Sequence, residues 1–131
     1  MKKIGVVGNQ KGWTYAFVKS KLDELDIETD DIIISGGAEG VDAFAQEYAK
    51  ERGLSIIIHY PKPELSSPER YFERNKQIAE ECDFLIAFDK KSGRAGTKNT
   101  IANAKKLNKA IILFKDIAWL EGSRKWKLKD Y

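Results

Sequence analysis

The residues best suited to chemistry form a glycine-rich segment directly after a run of three isoleucines. The segment reads Ser35-Gly36-Gly37-Ala38-Glu39-Gly40-Val41-Asp42. Gly37 and Gly40 lack side chains where backbone N–H groups must approach a ligand closely. A strand that enters a helix through such a turn points the positive end of the helix dipole out of the sheet, where phosphates bind. The alternative is a tight turn whose glycines serve packing alone.

Two further polar segments are expected at the same edge of the sheet. Gly8-Asn9 follows the first apolar run, and Ser92-Gly93-Arg94-Ala95-Gly96-Thr97 follows the fourth. The crossover helices of a parallel sheet begin near the carboxyl ends of its strands, and ligands bind in the crevice along that edge. Two glycine-rich helix starts could therefore direct free N–H groups at one ligand, which favours a phosphate site.

Arg74 and Asn75 are predicted on the inward stripe of the third helix, in its first half. The other residues of this stripe are Tyr71, Ile78 and Cys82. A buried arginine is costly unless it is paired or faces an anion. Arg74 is therefore a candidate partner for a phosphate, and an internal ion pair with Asp42 or Glu73 is the alternative.

Other candidate residues carry weaker signals. Cys82 is predicted at the end of its helix far from the ligand edge, so a nucleophilic role is not expected. His59 ends the third strand without an evident partner, and no cluster has the spacing of metal ligands, so neither a metal nor a cofactor is expected. The loop 8–12 fits neither the dinucleotide fingerprint nor the P-loop pattern.

Apolar runs and helical periodicities alternate along the chain in the order βαβαβαβαβ. Strands are predicted at residues 3–7, 32–34, 54–58, 83–88 and 110–114. This order predicts an α/β protein with a mostly parallel five-stranded sheet between two layers of helices. The unbroken apolar character of residues 54–58 predicts burial on both faces. Ser67 is predicted as the N-cap of the third helix, with Pro68 as its first residue.

The 131 residues are expected to form one domain, with a core at 1–115 and an extension at 116–131. Residues 125–129 alternate lysine with Trp126 and Leu128, which predicts an additional edge strand or a subunit contact. A nucleic-acid-binding arm is the alternative there. We expect a homodimer or a higher homo-oligomer.

Composition narrows the class of protein further. The net charge of +3 is too small to indicate nucleic acid by itself. The single cysteine fits a reducing compartment, and no apolar run reaches the ~18–20 residues of a membrane span. We therefore expect a cytoplasmic protein that neither crosses a membrane nor binds nucleic acid.

These motifs together resemble the superfamily that joins DNA-processing protein A to the Lonely-guy phosphoribohydrolases, called SLOG, and most of all its small YspA-like branch. The segment from Ser35 to Ala43 is similar to that branch's Gly-Gly-Ala-Arg-Gly-x-Asp-Ala motif. Arg74-Asn75 is similar to its Arg-Asn pair, and Gly96-Thr97 to the Gly-Thr that opens the next helix. The resemblance runs from Lys3 to about Phe114 and implies a Rossmann-like fold that binds a nucleotide or a nucleotide-derived ligand.

Departures from the enzymes of this superfamily affect the expected activity. Lonely-guy enzymes release the base from a nucleoside monophosphate with an Arg and a Glu, and Thr100 stands here at the glutamate position. Because threonine supplies no carboxylate, hydrolysis of an N-glycosidic bond is the alternative hypothesis and not the main one. Its candidate catalytic residues are Glu39, Asp42 and Arg74.

Departures from DNA-processing protein A affect the third hypothesis, single-stranded nucleic-acid binding. Asn9-Gln10 replaces its Ser-Arg, and Glu39 replaces the Arg of its glycine motif. Glu39 would repel a DNA phosphate. The ligand-binding residues that we predict are Gly8, Asn9, Ser35, Gly36, Gly37, Ala38, Glu39, Gly40, Asp42, Arg74, Asn75, Gly93, Gly96 and Thr97.

Overall fold

The computed structural model describes residues 1–115, in which five strands alternate with four helices. The strands are β1 Lys3–Gly8, β2 Ile32–Gly36, β3 Ser55–His59, β4 Phe84–Phe88 and β5 Ala110–Phe114. The helices are α1 Tyr15–Asp23, α2 Val41–Arg52, α3 Glu69–Glu81 and α4 Ala95–Lys106. All strand pairs are parallel, in the spatial order β3-β2-β1-β4-β5, which confirms the predicted fold class.

Helices cover both faces of the sheet. Val6 of β1 packs in the apolar cluster that contains the inner faces of α1 and α2. The next residue, Val7, packs in a second cluster with the inner faces of α3 and α4. Successive side chains of a strand point to opposite faces, so one short apolar strand supports both helical layers. The result is the predicted three-layer α/β/α arrangement.

The ends of two helices show how capping fixes their boundaries, and the second one tests the predicted N-cap. Gly53 ends α2 in the left-handed conformation, with φ of 66°, and its N–H bonds the carbonyl groups of Ala49 and Lys50. The prediction for α3 is wrong by one residue, because Pro68 remains outside the helix and takes the N-cap position. Ser67 is therefore not the N-cap.

The prediction of two-sided burial for the third strand is also wrong. β3 pairs only with β2 and lies at the edge of the sheet in the described part of the chain. All five of its residues keep some exposure to solvent. An apolar run is therefore compatible with an edge position, because Ile56 packs against the first cluster and Ile57 against the second.

The predicted additional strand at residues 125–129 lies outside the described residues. Within residues 1–115, no helix is long and apolar enough to cross a bilayer.

Candidate functional site

Three elements meet at the carboxyl edge of the sheet: the β2–α2 turn (residues 36–40), the first half of α3 and the start of α4. Asn75 of α3 is 3% exposed and joins these elements. Its Nδ2 donates to Gly96 O at 3.3 Å and to Asn99 Oδ1 at 3.1 Å, which ties α3 to α4. Its Oδ1 accepts from Arg74 Nε at 2.9 Å. Asn75 thus orients the arginine beside it.

Arg74 is partly buried and extends from α3 to the β2–α2 turn. A Cβ atom on Gly36 would lie 2.5 Å from Arg74 Nη1, so the glycine makes room for the guanidinium. The guanidinium carbon also lies 5.9 Å from the centre of the Tyr71 ring. Among the described residues, no carboxylate lies within 4.0 Å of Arg74, so the alternative of an internal ion pair with Asp42 or Glu73 is not realised.

Asp42 approaches the same side of Gly36 as Arg74 and is only 5% exposed. A Cβ on Gly36 would be 2.7 Å from its Oδ2, and Ala38 N donates to the same oxygen at 3.4 Å. Burial raises the pKa of Asp42 to about 6, although the Arg74 charge and the N–H groups of Ala38 and Gly8 oppose the shift. The first turn of α2 therefore already holds an acidic group of the protein itself.

The remaining donors of the turn are free to meet a ligand. Within residues 1–115, the N–H groups of Glu39 and Gly40 have no hydrogen-bond acceptor. The N-cap position of α4, Arg94, makes no side-chain capping bond, so the first N–H groups of this helix also lack a side-chain partner. Both sets of N–H groups belong to the elements that flank Arg74.

Asn9, a predicted ligand-binding residue, is 9% exposed and uses its side chain inside the protein. Its Oδ1 accepts from Trp13 Nε1 at 3.0 Å and from Lys90 N at 2.7 Å. Its Nδ2 donates to Asp89 Oδ1 at 3.0 Å, an oxygen that Lys98 Nζ also binds at 3.0 Å. Asn9 therefore joins the loops after β1 and β4, and protein groups fill the crevice between these two strands.

Several predicted residues serve packing around this junction. A Cβ on Gly93 would lie 2.3 Å from Asn9 Nδ2, and one on Gly8 would lie 2.6 Å from Val41 Cγ2. Ser35 is fully buried, and its Oγ donates to Val6 O at 2.6 Å. These residues hold the edge of the sheet together beneath the site.

The start of α4 holds two predicted residues, an exposed Gly96 and a buried Thr97. Thr100, which stands where the phosphoribohydrolases carry glutamate, is 2% exposed and donates to Gly96 O at 3.3 Å. Glu39 is exposed on the turn. Asp42 is therefore the one acidic residue at this turn that is both buried and beside Arg74.

Sequence reasoning was wrong about three neighbouring residues. Tyr71 is 43% exposed instead of inward-facing. His59 does have a partner, since its Nε2 lies 2.8 Å from Glu81 Oε1. Tyr60 was missed, although a Cβ on Gly37 would lie 2.3 Å from its ring. The signal available for Tyr60 was an aromatic residue at the carboxyl end of a strand.

Cys82 ends α3 far from this site, as predicted, and it is fully buried. Burial raises the pKa of its thiol to about 11, so the group stays protonated at neutral pH. Among residues 1–115, no three His, Cys, Asp or Glu side chains are arranged to hold a metal ion.

Solved structures share this arrangement of strands and helices, whereas no protein-family model and no curated protein matches the sequence. DNA processing protein A from Streptococcus pneumoniae superposes with a TM-score of 0.73 at 17% identity, over 99% of this chain and 60% of that one. DNA processing protein A from Helicobacter pylori, described with a single-stranded DNA binding mode, gives 0.67 at 20% identity, over 99% and 81%. These similarities show that the chain shares a Rossmann-like α/β fold with the two proteins.

A third similar structure is that of TM1055, a structural genomics target. It gives a TM-score of 0.63 at 18% identity, over 85% of this chain and 72% of that chain. At these identities the similarity concerns the fold alone. The chain also spans only about 60% of the length of the Streptococcus pneumoniae protein.

Proposed function

We propose that this protein binds a nucleotide or a nucleotide-derived small molecule between the β2–α2 turn, α3 and the start of α4. The observation that carries the proposal is the Arg74 guanidinium. It is partly buried, it is oriented by Asn75, and it has no carboxylate within 4.0 Å among the described residues. Asp42 interacts with its charge but does not bond it, so the guanidinium keeps hydrogen-bond donors for an anionic ligand.

The phosphate of such a ligand would sit on the α4 side of the turn. Ala38 N donates to the carboxyl group of Asp42, so this N–H group is not available to a ligand. The uncapped N–H groups of α4 and those of Glu39 and Gly40 remain as donors. Together with Arg74 they would bind one phosphate by charge-assisted hydrogen bonds.

Replacement of Arg74 by alanine tests this proposal. We expect the variant to lose roughly 1.5–3 kcal/mol of affinity for a nucleoside monophosphate, because a hydrogen bond to a charged group is removed. Isothermal titration calorimetry on the full chain gives the measurement. Lys76→Ala is the matched control, since Lys76 is an exposed cation two residues further along the same helix. Equal affinities of Arg74→Ala and the parent protein would refute the site.

Hydrolysis of the N-glycosidic bond of such a ligand is the enzymatic alternative. It is supported by Asp42, a carboxyl group whose pKa is raised to about 6 by burial and which lies beside Arg74. Thr100 opposes it, because this residue stands at the position of the glutamate in the Lonely-guy enzymes and supplies no carboxylate. Its hydroxyl group instead donates to Gly96 O of the same helix. We therefore propose binding without efficient turnover.

Single-stranded nucleic-acid binding is the second alternative, and the Helicobacter pylori structure supports it through its reported DNA-binding mode. The loop after β4 and the start of α4 also carry Lys90, Lys91, Arg94 and Lys98. Two of these cations already have internal partners: Lys98 binds Asp89, and Lys90 lies over the Trp13 ring. We also propose that the protein belongs to the YspA-like branch and that it forms a homodimer or a higher homo-oligomer.

A further inference from the structure

Exposed aromatic residues are concentrated beside the proposed phosphate site. The large apolar residues that the described chain leaves exposed are Met1, Tyr60, Tyr71, Phe72 and Leu107. Three of these five are aromatic, and all three fall within the thirteen residues 60–72, between β3 and the first turn of α3. Arg74 lies two residues after Phe72, on the same helix. Scattered exposed apolar residues are ordinary, but a local group next to the candidate phosphate-binding arginine calls for a reason.

Tyr60 is the member of this group with a defined place in the site. A Cβ on Gly37 would lie 2.3 Å from both Cδ1 and Cε1 of its ring, so the ring lies directly on the backbone of the glycine turn. Any other residue at position 37 would require the ring to move away from the turn. The Tyr60 side chain nevertheless remains 60% exposed, which leaves ring surface open to solvent. The ring is thus held in place by the turn but is not part of the core.

Tyr60 also lies close to the groups that would bind the phosphate. Gly37, beneath the ring, adjoins Gly36, whose Cβ position lies 2.5 Å from Arg74 Nη1. A ligand whose phosphate contacts Arg74 therefore has an aromatic surface within the length of one nucleoside. A sugar phosphate without a base would leave that surface exposed.

We propose that Tyr60 is a stacking platform for the nucleobase of the ligand, and that the ligand therefore carries a planar ring as well as a phosphate. Every nucleobase has a π-face, and its stacking on an aromatic side chain contributes without base-specific hydrogen bonds. The inference rests on the proposed function, because it takes the phosphate at Arg74 as its starting point. It adds the class of ligand, a nucleotide with its base in place, in preference to a phosphorylated sugar.

The test compares AMP with ribose 5-phosphate, which lacks the base, on the full chain by calorimetry. Tyr60→Ala should weaken AMP binding by about tenfold or more, the effect of one stacked base. Ribose 5-phosphate should bind Tyr60→Ala and the parent protein equally. Tyr60→Phe should retain AMP affinity, whereas Tyr60→Leu, which keeps bulk without a π-system, should lose it. Phe72→Ala is the matched control, since Phe72 is exposed in the same segment.

Two outcomes would overturn the inference. One is AMP affinity that is unchanged in Tyr60→Ala. The other is an equal loss of AMP and ribose 5-phosphate, which would make Tyr60 a support of the phosphate site. Arg74→Ala separates this inference from the proposed function, because it should weaken both ligands. A single-stranded oligonucleotide is the third ligand to be tested. If it alone binds, and its binding depends on Tyr60, the aromatic ring serves polymeric nucleic acid and the inference is wrong.

Discussion

Asp42 provides a quantitative test of the electrostatics in the candidate site. The burial of this carboxyl group raises its pKa to about 6 from an ordinary value of 3.8. The folded protein therefore holds a proton on Asp42 at pH values where the unfolded chain has released it. The contribution of Asp42 to the free energy of unfolding is therefore fully present below pH 4, and it is lost as the pH rises towards 6. We expect Asp42→Asn, which has the same shape without the charge, to lack this pH dependence.

The size of the effect follows from the two pKa values. At pH 7.5 the ionised carboxylate costs about 3 kcal/mol of folding free energy, and at pH 4.5 it costs about 1 kcal/mol. The advantage of Asp42→Asn over the parent protein should therefore grow by about 2 kcal/mol between these pH values. Urea unfolding at pH 4.5, 6.0 and 7.5, followed by circular dichroism, measures the difference. Other titrating groups are common to both proteins and cancel.

Asp31 supplies a control of opposite sign. It is 1% exposed, and burial would raise its pKa, but hydrogen bonds from Glu28 N and Lys2 N lower the pKa overall. Asp31→Asn should therefore lose most stability near neutral pH and least in acid.

If the parent protein and Asp42→Asn instead show the same pH dependence, Asp42 is not protonated in the folded state and the electrostatic account of the site is wrong.

Two further predictions separate the functional hypotheses. We expect little or no adenine release from AMP over hours by chromatography, because Thr100 supplies no carboxylate; prompt release that Asp42→Asn abolishes would favour the hydrolase instead. We also expect no measurable binding of a ~20-nucleotide single strand at physiological salt. A strand-binding protein would show a log–log salt slope of about −0.7 per phosphate contacted. Steep binding that Trp126→Ala removes would instead assign nucleic-acid binding to the C-terminal extension.

The sequence alone determined the order of the elements and the edge at which the site lies. Apolar runs alternate with helical periodicity, and this order specifies a parallel sheet with helices on both faces. A parallel sheet brings the starts of its crossover helices to one edge, so the glycine turn, Arg74 and Gly96 could be grouped before any contact was known. Periodicity and chain connectivity are local properties, and for that reason they can be read from one sequence.

Only the tertiary structure decided how each polar group is used. Asn9 and Arg74 are both polar residues predicted at the ligand edge, yet the Asn9 amide is occupied by Trp13, Lys90 and Asp89. Arg74 instead contacts Asn75 and the face of a tyrosine ring, and its charge acts on the nearby Asp42. Hydrogen-bond partners that are 80 residues apart depend on strand order and loop packing, which no local pattern encodes.

The same limit applies to burial. The Ile-rich β3 lies at an edge because the chain crosses to the far side of β1 after it, and Tyr60 is held by a glycine 23 residues earlier. The pKa of Asp42 likewise depends on how completely the turn and α3 exclude water from its carboxyl group. Water is excluded only when several elements pack together. The sequence therefore identifies the titratable groups, but the tertiary structure determines their exposure and their charge.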